Sequence, residues 1–281
     1  MMKLFITGAT GKVGSRFAPR MIQHGHDVKV LVRDVTQAQA LEQQGAQVIH
    51  GDLVQPDSYL TALQDVDVIV HLAAKFRGVD EETTRTANTD GSLALAHAAL
   101  QAGVSRFVFA STNNVYGTGG ADRPKHEDDE LNPLFAYPQS KVAAETALLK
   151  LHREQGLGLR IVRLPFVYGD RDPHIADFLP YVKQWNPAKR IHMGHHADIS
   201  QALLLAASVP GIDGRIYNVA DDAPISAAEL LRFHGEESLP EAAQQEYDAW
   251  DMVVDTMRIR NELHYRPVYP SFYSAWAAGA L

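Results

Sequence analysis

Cysteine is absent from the 281 residues, which excludes disulfides, thiolate catalysis and zinc sites built on Cys. No apolar run approaches the ~18 residues of a transmembrane helix. Positive charge is in short supply: 26 Lys and Arg stand against 34 Asp and Glu, for a net charge of -8. General nucleic-acid binding wants a basic face, so it is not expected. The first residues, Met1 to Thr7, run directly into a glycine turn with no apolar h-region or cleavage site, so no export signal is expected. The remaining composition, 46% hydrophobic and 21% charged, is globular. The expectation is a cytoplasmic protein with no membrane partner, built as one large domain or two unequal ones.

Short runs rich in Val, Ile, Leu and Phe recur at Lys3–Thr7, Val28–Val32, Gln47–His50, Val66–His71, Arg106–Ala110 and Leu159–Leu164. Most are continuous rather than alternating, which suits strands buried on both faces of a parallel sheet. Helical patterns lie between them, at Val13–His24, Thr36–Gln44, Thr86–Ala102 and Ser140–Glu154. This alternation predicts an α/β fold with a doubly wound, mostly parallel sheet over residues 1–165. Residues 166–281 are broken by prolines, among them Pro173, Pro180, Pro187, Pro210, Pro224, Pro267 and Pro270. They predict a small α/β substrate-binding cap interleaved with the core, with a helix at Ala197–Ser208, a strand at Arg215–Val219 and a capping box at Ser226–Glu229.

Gly8, Gly11 and Gly14, with Thr10, Lys12 and Val13 between them, follow the first strand and open a helix. Such a turn lets backbone approach a diphosphate, and the helix N-terminus supplies N–H donors and the positive end of a dipole. The spacing is not that of a Walker loop, since Val13 rather than Ser or Thr follows Lys12. The end of the second strand selects the cofactor: an acidic residue suits a free ribose 2′-hydroxyl and an Arg suits a 2′-phosphate. Arg33 and Asp34 compete there. Arg33, with Lys12 in the glycine turn, favours NADP, with NAD as the alternative.

Tyr137 and Lys141 stand one turn apart on a helix that starts near Pro138. A cation there is expected to lower the phenol pKa from ~10 and fit it for acid/base work. Thr112, or the neighbouring Ser111, ends the fifth strand, where a hydroxyl can donate to a substrate carbonyl.

Together these residues resemble the short-chain dehydrogenase/reductase superfamily, and more narrowly its extended branch, the NAD(P)-dependent epimerase/dehydratase family. The resemblance implies that Gly51, Asp52 and Leu53 lie by adenine. It places Leu72, Ala73, Ala74, Leu164 and Pro165 along the cofactor, and Lys75, Asn113 and Phe166 by the substrate. It gives Thr112, Tyr137 and Lys141 the catalytic roles, and implies a homodimer through the helices Thr86–Ala102 and Ser140–Glu154. Family dehydratases carry Asp-Glu where this chain has Asn113 and Asn114, so dehydration is not expected. Phe166 stands where many sugar-nucleotide enzymes have Asn, which points to a smaller, less polar alcohol or carbonyl substrate. The leading reading is an NADP-preferring oxidoreductase. A sugar or sugar-nucleotide epimerase and a non-catalytic NADP-binding sensor are the alternatives.

His192, His195 and His196 are read as loop or pocket-rim residues rather than metal ligands, since no carboxylate lies among them. Asp122–Glu130 reads as a solvated charged loop.

Overall fold

A computed structural model describes residues 1–76, 78, 80–120 and 122–281. The strands are β1 (Lys3–Thr7), β2 (Asp27–Val32), β3 (Gln47–His50), β4 (Val68–His71), β5 (Arg106–Thr112), β6 (Leu159–Leu164), β7 (Phe166–Tyr168), β8 (Arg190–Ile191), β9 (Met193–His195), β10 (Ile216–Asn218) and β11 (Ile225–Ser226). The α-helices are α1 (Gly14–Gln23), α2 (Gln39–Gln43), α3 (Glu81–Arg85), α4 (Gly91–Ala102), α5 (Ala136–Gln155), α6 (His174–Val182), α7 (His196–Ser208), α8 (Ala227–Phe233), α9 (Met257–Leu263) and α10 (Phe272–Ala277).

Seven strands form one sheet in the order β10-β6-β5-β4-β1-β2-β3. Every pairing in it is parallel, so the expected doubly wound sheet is present. Successive strand residues point to opposite faces. Leu4, Ile6, Val68, Val70 and Val162 join Phe17, Met21, Ile199 and Leu203 on the α1/α7 side. Phe5, Ile69, Phe107 and Ile161 join Leu95, Ala99, Ala144 and Leu148 on the α4/α5 side. This two-sided burial is why the strands read as unbroken apolar runs.

Residues after 165 are divided. α7 packs on the main sheet and β10 extends it beyond β6. Tyr168, Ile175, Leu179, Ile191, Leu230 and Phe272 form a separate apolar cluster. Two small sheets accompany it, β7 with β9 and β8 with β11. The capping box read at Ser226 is formed with Glu229.

Three local expectations change. The helix expected at Thr36–Gln44 is a 3-10 turn, Val35–Ala38, followed by the short α2, because the Asp34 carboxylate caps Thr36 and tightens the start. The helix expected at Thr86–Ala102 begins at Glu81 and passes through a π-helical turn, Thr86–Asp90, before α4. Asn88 sits in that turn and bonds to the Lys75 backbone and the Ser140 hydroxyl, and such outside bonding accompanies a widened turn. The Asp122–Glu130 loop is only partly solvated: Glu127 is buried and accepts from the Asn218 N–H at 2.9 Å. Among the described residues, no helix is long and apolar enough to cross a membrane.

α5 is fixed to the sheet by an ion pair. Arg163 of β6 donates to both carboxylate oxygens of Glu145, at 3.1 and 2.7 Å, and both side chains are buried. Its other donors reach the Tyr116 hydroxyl and the Glu127 carbonyl. Removing one partner of a buried pair leaves an uncompensated charge, at about 3–5 kcal/mol. Glu145→Ala should therefore lower unfolding stability by about that amount in a urea titration. A midpoint unchanged from wild type would show that the pair does not hold the helix.

Candidate active site

The chain reverses its direction of progress across the sheet between β1 and β4, and the carboxyl ends of the strands diverge there to leave a crevice. A cavity of ≈ 1000 Å³ occupies it. Gly8, Thr10, Gly11, Lys12, Val13, Gly14, Arg33, Asp52, Leu53, Leu72, Ala73 and Ala74 line it, together with Lys75, Thr112, Asn113, Tyr137, Lys141, Leu164, Pro165 and Phe166. The residues singled out in the sequence thus share one space, although they come from seven separate stretches of chain.

The turn between β1 and α1 requires glycine. Gly8 has φ +70°, and a Cβ there would stand 2.5 Å from the Ala73 nitrogen. A Cβ on Gly14 would stand 2.1 Å from the Gly8 carbonyl. The result is a bare backbone turn facing the cavity at a helix N-terminus, a cradle that fits a dinucleotide diphosphate. Arg33 is exposed and lines the cavity. Asp34 is committed to capping, accepting from the Thr36 N–H and hydroxyl and from Gln37. Lys12 is engaged with Asp172 at 3.4 Å and Asp177 at 3.7 Å.

Tyr137 is the second residue of α5, which accommodates Pro138 in the first turn. Lys141, one turn later, is buried; its ammonium donates to the Ala110 carbonyl at 2.9 Å and lies 4.5 Å from the centre of the Phe109 ring. Burial lowers the Lys141 pKa to about 7, against the opposing pull of Glu145. The expected lowering of the tyrosine is corrected: burial pushes the Tyr137 phenol up from its ordinary value. Desolvation of the phenolate outweighs the cation one turn away.

Thr112 accepts from the Asn114 N–H at 3.2 Å, so its hydroxyl is oriented and keeps a proton to donate. Ser111 also lines the cavity, and its buried hydroxyl has no partner among the described residues. Asn113 donates to the Val219 carbonyl at 3.2 Å, while its amide oxygen is buried without such a partner.

The three histidines are more buried than expected and go separate ways. His192 lines the cavity and bonds to the Asp221 carbonyl. His195 caps α7 and bonds to the Ala280 carbonyl. His196 bonds to Asp172 at 3.0 Å. Among the described residues, no group of three or more His, Asp or Glu side chains is placed to hold a metal ion.

Several groups escaped the sequence reading. Asn88 ties the Lys75 segment to Ser140 beside Lys141; its only signal was a polar, glycine-containing stretch inside a helical pattern. His71 bonds to Thr7 at 2.6 Å and to Ser92 at 2.8 Å, and burial, with the nearby Lys141, lowers its pKa to about 3. Phe178, Trp185, Lys189 and Met252 join the lining from the chain's last third, where no periodicity marked them.

A model of the NAD dependent epimerase/dehydratase family matches residues 4–220. The chain is 32% identical, over 244 residues, to 4-hydroxy-2-methyl-3-oxo-4-farnesyl-3,4-dihydroquinoline-1-oxide ketoreductase of Stigmatella aurantiaca, which spans 82% of this chain and 71% of that one. It is 25% identical, over 249 residues, to 2-alkyl-3-oxoalkanoate reductase of Shewanella oneidensis, spanning 81% of this chain and 64% of the relative. In fold it resembles a dTDP-glucose 4,6-dehydratase from Streptomyces venezuelae solved with NAD and TYD bound, at TM-score 0.81 and 24% identity over 99% of this chain and 95% of the other. The chain belongs to the NAD-dependent epimerase/dehydratase family of extended short-chain dehydrogenases/reductases.

Proposed function

We propose that this protein is an NADP(H)-preferring reductase that converts a small carbonyl compound to its alcohol. The observation that carries the reading is the convergence of Thr112, Tyr137 and Lys141 on a cavity whose wall includes a bare glycine turn. The names of the relatives, a ketoreductase and an oxoalkanoate reductase, agree with it. Asn113 and Asn114 are amides and cannot serve as the carboxylate pair of a dehydration.

The turn Gly8–Gly14 and the side chains of Arg33, Asp52 and Lys141 would hold the cofactor, with Leu72 to Ala74, Leu164 and Pro165 along it. Bound nicotinamide supplies the hydride. Thr112 donates a hydrogen bond to the carbonyl oxygen and so stabilises the charge that develops there. Tyr137, held protonated by burial, gives that oxygen its proton. The Lys141 ammonium stabilises the phenolate left behind.

Tyr137→Phe should abolish turnover and leave the NADP dissociation constant unchanged in calorimetry. An active variant would remove Tyr137 as the proton donor.

Arg33 supports the preference for NADP, because its guanidinium lines the cavity while Asp34 is occupied as a cap. A guanidinium–phosphate pair contributes about 1.5–3 kcal/mol. Arg33→Ala should thus weaken NADP binding by about 10- to 100-fold and NAD binding little. Equal losses would sink the assignment.

Lys141 is a cation below about pH 7 and neutral above it. Support for the phenolate is therefore lost as pH rises, and kcat for reduction should fall through neutrality. Lys141→Arg keeps its charge and should move that limb to higher pH. A wild-type profile flat from pH 6 to 9 is the contrary result.

A further inference from the structure

Beyond Tyr137, the cavity is walled by an unbroken series of rings. Phe76 meets Tyr137 edge-on at 4.7 Å between centres, and His174 at 6.4 Å. His174 stacks on Phe166 at 4.2 Å with the planes 15° apart. Phe166 meets Phe178 at 4.7 Å, and Phe178 meets Trp185 edge-on at 5.3 Å. All of these residues line the same cavity. Phe76, Leu134 and Phe135, also lining it, are 44%, 47% and 72% exposed. Large apolar side chains gathered at one mouth mark a surface that gains by being covered.

Two of the lysines that line the cavity are already matched. Lys189 lies 4.8 Å from the centre of the Trp185 ring, and its ammonium is paired with buried Asp251 at 2.7 Å. Lys12 is paired with Asp172 and Asp177. Lys75, next in the chain to Phe76, belongs to the Tyr137 end. A nucleoside diphosphate needs charge-assisted donors along its length, and the ring series offers it π-faces and edges instead.

We infer that the substrate half of the site is an aromatic slot for an uncharged carbonyl compound with a flat, apolar body, and that it discriminates against nucleotide sugars. The carbonyl lies at Tyr137 and the hydrocarbon body extends along Phe166 and Phe178 to Trp185, where ring–ring contacts add to the gain from burial. This substrate class rests on the reductase reading, but the slot can be tested without turnover.

The test is calorimetric titration of the full chain carrying Tyr137→Phe and saturated with NADP, using 2-acetylnaphthalene and, separately, UDP-glucose. The ketone should bind and UDP-glucose should not. Trp185→Ala and Phe178→Ala, each added to that background, should weaken the ketone by on the order of tenfold. Unchanged NADP affinity in each variant reports an intact fold. Where Trp185→Ala does not fold, Trp185→Leu keeps the bulk and removes the ring. Failure of the ketone to bind, tighter binding of UDP-glucose, or ketone affinity indifferent to both wall variants overturns the slot. A ketone that binds in a Trp185-dependent way, yet is not turned over by the wild-type protein with NADPH, leaves the slot standing and removes the reductase reading.

Discussion

The bidentate pair between Glu145 and Arg163 is the constraint on which the site depends. α5 carries Tyr137 and Lys141 in its first two turns and Glu145 one turn later. Joining Glu145 to β6 therefore sets both the rotation and the height of the helix against the sheet. Arg163 extends the constraint through the Tyr116 hydroxyl, which bonds to Asn218 of β10 at 2.7 Å. Tyr116 ends the 3-10 turn that Thr112 caps. One guanidinium thus relates the helix with the phenol and ammonium to the strand end with the hydroxyl. Apolar residues of similar volume often replace a buried ion pair at no net loss of stability. What the pair contributes here is directional: five fixed donors in a plane admit one arrangement of their acceptors.

Most of the sheet was legible in the sequence because strands buried on both faces must be apolar at every position. Leu159–Leu164 shows where that rule is incomplete, since Arg160 and Arg163 are buried within it, and for Arg163 the Glu145 carboxylate makes the burial tolerable. Gly8 and Gly14 were legible for a different reason: their lack of a Cβ is forced by backbone lying within 2.5 Å or less of where one would sit. The Tyr137–Lys141 spacing located the site but misjudged its electrostatics, because sequence spacing shows a neighbouring charge and not the depth of burial. The aromatic wall was invisible beforehand. Phe166, Phe178 and Trp185 lie in short, proline-broken segments without a period, and only tertiary packing brings them alongside Phe76 and Tyr137.

Burial acts in opposite senses on the titratable groups around α5. His71 sits among Thr7, Ser92 and the Phe107 and Phe109 rings, and is kept neutral through the physiological range. A protonated imidazole there would repel the Lys141 ammonium and depress it further. The Glu145 carboxylate, one turn from Lys141, limits the fall that burial imposes on the amine. The phenol feels the same low dielectric with the opposite consequence for its proton: burial removes it from a Lys and retains it on a Tyr. In the proposed reaction the phenol therefore starts with its proton in place, and the Lys141 ammonium stabilises the phenolate formed when the proton is passed on. The same desolvation that keeps the proton on Tyr137 strengthens each hydrogen bond it and Thr112 make to a developing oxyanion, so the apolar wall beside them serves the chemistry as well as recognition.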